Sequence, residues 1–144
     1  MSSHRGVLHH MLIFVSDLAR SMPFYSAMFR YLEYELAGES SGHQDWRRWV
    51  LGAPHEITIC QSKSLNAEVP YVRGAVGHHH HMAFCALDKD DVDRFYSEVL
   101  APLKEDGRCV VEDPPGECPE YGEGYYATFF LDPDGLKYEY VFIG

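Results

Sequence analysis

Nowhere in the 144 residues is there an apolar run long enough to span a bilayer, so a transmembrane helix is excluded. The opening MSSHRGVLHH lacks the apolar segment of a signal peptide, and a cytoplasmic location is the default expectation. Basic residues are scarce: 12 Lys and Arg stand against 22 Asp and Glu, a formal charge of −10. Such a surface repels phosphate backbones and argues against a nucleic-acid partner; a membrane partner is not expected either. The four cysteines, Cys60, Cys85, Cys109 and Cys118, form no CxxC pair. A structural zinc knot is therefore not expected, and the cysteines read as free thiols.

The rest of the composition, 46% hydrophobic and 24% charged, is ordinary for one globular domain of this length. The nine histidines are not ordinary. Six of them fall in two clusters, His9–His10 and His78–His81, the second inside the stretch GHHHHMAF. An internal repeat connects the clusters. Shifted by 71 positions, His9, His10 and Met11 fall on His80, His81 and Met82; Asp17 falls on Asp88; Phe24-Tyr25-Ser26 falls on Phe95-Tyr96-Ser97. The four-histidine run sits too deep among matching elements to be a purification-tag scar.

Each copy begins with a short strand-like run, HHMLIFV or HHMAFCA, followed by an Asp where a helix should start. Helical spacing follows in Met22, Tyr25, Met28, Phe29 and Leu32, and again in Val92, Phe95, Tyr96, Val99, Leu100 and Leu103. Pro23 is read as lying in the first helical turn, where proline is tolerated. Strand-like DWRRWVLG and HEITICQS complete the first copy. GYYATFFL and LKYEYVFI, joined by the turn DPDG, complete the second. Aligning Leu51 with Leu131 gives an offset of 80 in this part, with the extra residues in the Pro-, Gly- and acid-rich segment 112–124, read as a mobile lid. The expected architecture is one α+β domain of two βαβββ modules, about 6–62 and 78–143, with a linker at about 63–77. They should pair into a curved mixed sheet with helices outside and a concave pocket within.

Strand alternation selects pocket residues. His10, Leu12 and Phe14 take one face, opposite Met11, Ile13 and Val15. In the second copy His81, Ala83 and Cys85 do the same. Glu139, amid aromatic neighbours near the C-terminus, is costly to bury unless paired or bound to a cation. Two imidazoles and a carboxylate make a three-ligand set, His10, His81 and Glu139, for one divalent ion; Fe, Zn, Ni, Mn and Mg all suit it. Tyr121, Tyr126 and their neighbour Tyr125 border the expected lid, where a phenol could donate a proton. Arg47 or Arg48, between Trp46 and Trp49, could hold an anionic group.

The stretches LHHMLIFVSDLARSMPFY, GHHHHMAF and FLDPDGLKYEY resemble the vicinal oxygen chelate superfamily, the glyoxalase, bleomycin-resistance and extradiol-dioxygenase group. The resemblance spans about residues 6–143. It implies metal ligands at His10, His81 and Glu139 and a site often shared across a homodimer. It also implies a small substrate that chelates the ion through adjacent oxygens, in lyase, isomerase, transferase or dioxygenase chemistry. Glyoxalase I enzymes of this group use a fourth, acidic ligand from the first half. The offset of 80 puts Ile59 there, with Gln61 on the same parity and His55 and Glu56 nearby. A three-ligand site is more like the extradiol dioxygenases or the fosfomycin-modifying enzymes. The competing expectation is a metal-free protein that sequesters an antibiotic or other small molecule in the same concavity.

Overall fold

The computed structural model describes residues 5–40, 45–52, 55–62 and 71–144. Most of the expected linker, residues 63–70, lies outside the described residues. Module one runs β1 (His10–Val15), α1 (Leu18–Tyr31), β2 (Glu35–Ser40), β3 (Trp46–Leu51) and β4 (His55–Gln61). Module two runs β5 (Met82–Cys85), a helical stretch, β6 (Val110–Glu117), β7 (Tyr125–Leu131) and β8 (Lys137–Ile143). The sheets have the same topology, β1-β4-β3-β2 and β5-β8-β7-β6, in which the first strand is parallel to the last and the rest are antiparallel. The α+β βαβββ duplication read from the sequence is therefore the fold.

Both helices start where the sequence says they should. The Asp17 carboxylate accepts the Arg20 N–H at 3.0 Å, and that of Asp88 accepts the Asp91 N–H at 2.7 Å, satisfying donors left free at a helix N-terminus. One detail differs from expectation. Because α1 begins at Leu18, Pro23 lies in its second turn rather than its first, and the helix forgoes the bond to the Ala19 carbonyl. In module two the same deficiency is handled by widening. α2 (Lys89–Phe95) passes through a π-turn at Tyr96–Leu100 into α3 (Ala101–Glu105), because Pro102 has no N–H to give to Glu98.

The first half of the segment read as a lid, up to Glu117, belongs to edge strand β6. Pro114 and Pro115 cannot donate to a ladder, so they are tolerated only at a sheet edge, and the register slips on either side of Asp113. The described chain continues through a 3-10 turn at Pro119–Tyr121 onto the face of its own sheet.

One core spans both modules. The helix-facing side chains Ile13, Val15, Trp49, Ile57 and Ile59 of the first sheet enclose Phe24, Tyr25, Met28 and Phe29 of α1. Phe24 also lies 6.0 Å from the rings of Phe130 and Tyr138 in module two, and Tyr31 lies 5.2 Å from Phe95. Polar ties cross the same seam: Tyr25 Oη donates to Asp132 at 2.6 Å, and Tyr31 Oη donates to Asp91 at 2.6 Å. Within one chain the modules thus meet through their helical layers. The two sheets are not hydrogen-bonded to each other, and β1 and β5 are free edges among the described residues.

Candidate metal centre

The pairing of strands decides which side chains share a face. Met11 pairs with Ile57, and its repeat partner Met82 pairs with Tyr138, so β4 maps onto β8 at an offset of 81. The sequence-based offset of 80 is corrected by one residue. Since a one-residue slip exchanges faces, the consequence is large. The counterpart of Glu139 is Thr58, on the open face, and not Ile59, which is buried in the helix-side core. Gln61 is also accounted for: its side chain accepts the Leu18 N–H at 2.8 Å and donates to the Ser16 carbonyl at 2.7 Å, holding the start of α1.

Glu139 sits on the central strand β8 with its side chain on the open face, yet it is only 1% exposed. Burying a carboxylate is costly unless each oxygen is engaged. Here Oε1 accepts the Tyr125 hydroxyl, and Oε2 lies 3.2 Å from His81 Nε2. His81, just ahead of β5, rests edge-on against Phe129 at 6.4 Å. Burial, with the hydrogen bond to Glu139, pushes the Tyr125 phenol well above its ordinary range, so it stays a donor. Nearby, Lys137 Nζ lies over the Phe129 ring at 4.7 Å and pairs with Glu112 at 2.9 Å. Burial opposes the charge on Glu112, but the bonds from Arg73 and Lys137 win and hold its carboxyl below the usual range.

This donor set fits a divalent cation. An imidazole nitrogen and a carboxylate oxygen 3.2 Å apart have the spacing of neighbouring ligands each about 2.1 Å from one ion. The third expected ligand is not with them. His10 lies on the open face of the other sheet, on edge strand β1, directly across from Glu56 on β4. Among the described residues no three His, Cys, Asp or Glu side chains converge on one metal-sized point within the chain. Both candidate ligands carry the same local attachment: His9 and His10 meet Nδ1 to Nδ1 at 3.0 Å, and His80 and His81 at 2.8 Å. One ring of each pair donates and the other accepts; with His10 and His81 as the donors, their Nε2 atoms are left free to accept or ligate. His78 stacks on Tyr71 at 5.6 Å, and His79 is half-buried against Tyr138.

The other sequence candidates divide by face. The phenol that reaches Glu139 is Tyr125, which shares its parity across the β7–β8 hairpin. That signal was present in the sequence once the DPDG turn set the pairing. Tyr126 has the opposite parity, and its hydroxyl donates to Asp93 at 2.7 Å on the helix side. Tyr121 is exposed, with its ring 5.3 Å from Tyr125 and 6.3 Å from Phe129, beside the site. Arg47 shares the parity of Trp49 and is engaged by Glu39 at 3.2 Å and by the carbonyls of Ser40 and Trp46. The arginine on the open face is Arg48, paired with Thr58. A separate recess of about 350 Å³, between the end of α1 and α2, is lined by Tyr31, Asp91, Arg94 and Tyr140 but by none of the candidate ligands.

Known proteins with this fold are numerous. The chain is 30% identical over 139 residues to the uncharacterized protein YqjT of Bacillus subtilis (strain 168), covering 93% of this chain and 97% of that one. The structure of a glyoxalase family protein from Enterococcus faecalis superposes with a TM-score of 0.64 at 27% identity, covering 97% of this chain and all of that one. The fosfomycin resistance protein FosX of Mesorhizobium loti shares the fold, with a TM-score of 0.60 at 22% identity, 94% of this chain and 90% of that one being covered. Residues 7–140 match the model of one family, and on that match the chain belongs to the Glyoxalase/Bleomycin resistance protein/Dioxygenase superfamily.

Proposed function

We propose that the protein is a divalent-metal-dependent enzyme whose site is shared between two chains: His81 and Glu139 of one protomer with the partner's His10. The observation that carries this reading is the buried Glu139 carboxylate facing His81 Nε2 at 3.2 Å on the sheet face turned away from the helices. A homodimer explains the rest. Each chain presents one sheet with His10 and another with His81 and Glu139, and neither sheet closes on its neighbour. Leu12 and Phe14, each 53% exposed beside His10, form apolar surface for a second copy or a ligand to cover.

A bound ion of this kind would act as a Lewis acid toward a small substrate that chelates it through adjacent oxygens. The chain's own groups define what surrounds that substrate. Tyr125 holds Glu139 in orientation and keeps its proton, and Tyr121 flanks the opening. Thr58, at the counterpart of Glu139, offers a neutral hydroxyl where a glyoxalase I enzyme would place an acid. This favours lyase, transferase or ring-cleaving chemistry with three protein ligands.

The test is metal analysis of protein purified without nickel resin. Native protein should hold about one ion per chain, and the His10→Ala, His81→Ala and Glu139→Ala variants should each lose it. Mixing the His10→Ala and Glu139→Ala chains should then restore metal to about a quarter of the sites, because half of a random mixture is heterodimer with one intact site. No recovery would defeat the shared site. No metal in native protein would favour a sequestering protein instead.

A further inference from the structure

We propose that the open face of module one carries an oxyanion-recognition subsite built on Arg48 beside Thr58. The substrate of the site proposed above, on which this inference rests, then bears a carboxylate, phosphonate or phosphate next to its chelating oxygens. The repeat makes the case. At an offset of 81, Arg48 occupies the position of Phe129, and Thr58 that of Glu139. Where module two has an apolar ring beside a carboxylate, module one has a guanidinium beside a hydroxyl.

The guanidinium is left with donors to spare. Arg48 Nη1 is 3.8 Å from Glu56 Oε2, too long for a hydrogen bond, so the exposed end of the guanidinium keeps its donors, while Nε is buried without a partner. The neighbouring Arg47, by contrast, is engaged by Glu39 at 3.2 Å and by the carbonyls of Ser40 and Trp46. Arginine presents a planar fork that matches an oxyanion in a bidentate way, and such charge-assisted bonds are the strong ones. The floor beneath is shaped for it. A side chain at Gly38 would crowd the Trp46 ring at 3.3 Å, so glycine there lets the indole lie against β2 beside Arg48.

Reach supports a ligand bound jointly with the ion. Arg48 lies two strands from β1, roughly 10 Å across the sheet, and one residue pair, roughly 7 Å, along it from His10. An extended arginine covers much of that span and leaves room for a small molecule between the guanidinium and the ligand imidazole.

The probe is inorganic phosphate added to the Mn(II)-loaded full-length protein, followed by titration and by paramagnetic relaxation of the 31P signal. The variants are Arg48→Gln and Arg48→Met; whichever retains the native circular dichroism decides. Expected is a loss of phosphate affinity of about tenfold or more with Mn(II) affinity unchanged. Phosphate affinity equal to native, with the metal retained, overturns the subsite and leaves the metal reading intact. Native protein that takes up no Mn(II) overturns the metal reading and the subsite together.

Discussion

The two sheets present contrasting open faces. That of module two is covered. Cys118, Ala127, Phe129 and Val141 form a second buried cluster there, under the turn that carries Tyr121. That of module one is bare at β1, with Leu12 and Phe14 half exposed. The covered face holds the buried carboxylate, and the bare face an arginine whose Nε has no partner. The two copies share a histidine pair, His9–His10 and His80–His81, and differ in what surrounds it. One copy supplies the desolvated environment in which a carboxylate–imidazole pair is oriented. The other presents an exposed strand β1 with His10, and Arg48 two strands away.

The contrast is broken most directly at its centre. Glu139→Gln should lower metal affinity at least about 100-fold, whereas Thr58→Val, at the equivalent position, should change it less than about threefold. Calorimetric titration with Zn(II) or Mn(II) measures both. Equal losses would mean that the copies are not differentiated.

Next in size are the two carboxylates that join the modules. Asp91 accepts from Tyr31, Tyr140 and the Leu87 N–H, at 2.6, 2.7 and 3.0 Å. Burial pushes its pKa up, but these bonds pull it below the ordinary value. Its contribution is present above the unfolded value and is lost as pH falls through the depressed folded one. Asp91→Asn turns an NH2 group toward those donors and should cost about 2–4 kcal/mol at neutral pH in urea unfolding.

Asp132 behaves in the opposite sense. Burial raises it to about 6, against the hydrogen bonds from Tyr25 and from the Leu136 and Asp134 N–H groups. The folded state then binds more protons than the unfolded state between pH 4 and 6, so stability from this group falls as pH rises through that window. Relative to native protein, Asp132→Asn should gain on the order of 3 kcal/mol between pH 4 and pH 7. A flat difference would show that the seam does not hold a desolvated carboxyl. The smallest effect sharpens the comparison from the other side: Asp17→Ala and Asp88→Ala should each cost about 1 kcal/mol, since the two caps are alike.

Much of this was legible in the residues. The shared HHM and FYS at one spacing revealed the duplication, and alternation along β1 put His10 with Leu12 and Phe14 on one face. Two strands escaped. β2 is mostly exposed and contains Gly38, and β6 runs through two prolines, so neither carries a clean alternating pattern. The fourth position was misplaced because aligning Leu51 with Leu131 erred by one residue, which in a strand exchanges core for open face. Tyr125 was legible in principle through hairpin pairing, but Tyr121 and Tyr126 looked equivalent to it without that register.

By itself the sequence determined the local units: caps, strands, helical faces and the repeat that selects one histidine per copy. These depend on spacing along the chain, which a linear pattern records. Only the tertiary structure decided that the modules join through their helices, that Glu139 is buried against Tyr125 and His81, and that His10 stands on a different sheet. Those outcomes depend on which surfaces pack against each other and on registers set across strands, and neither is written in the spacing of any single segment.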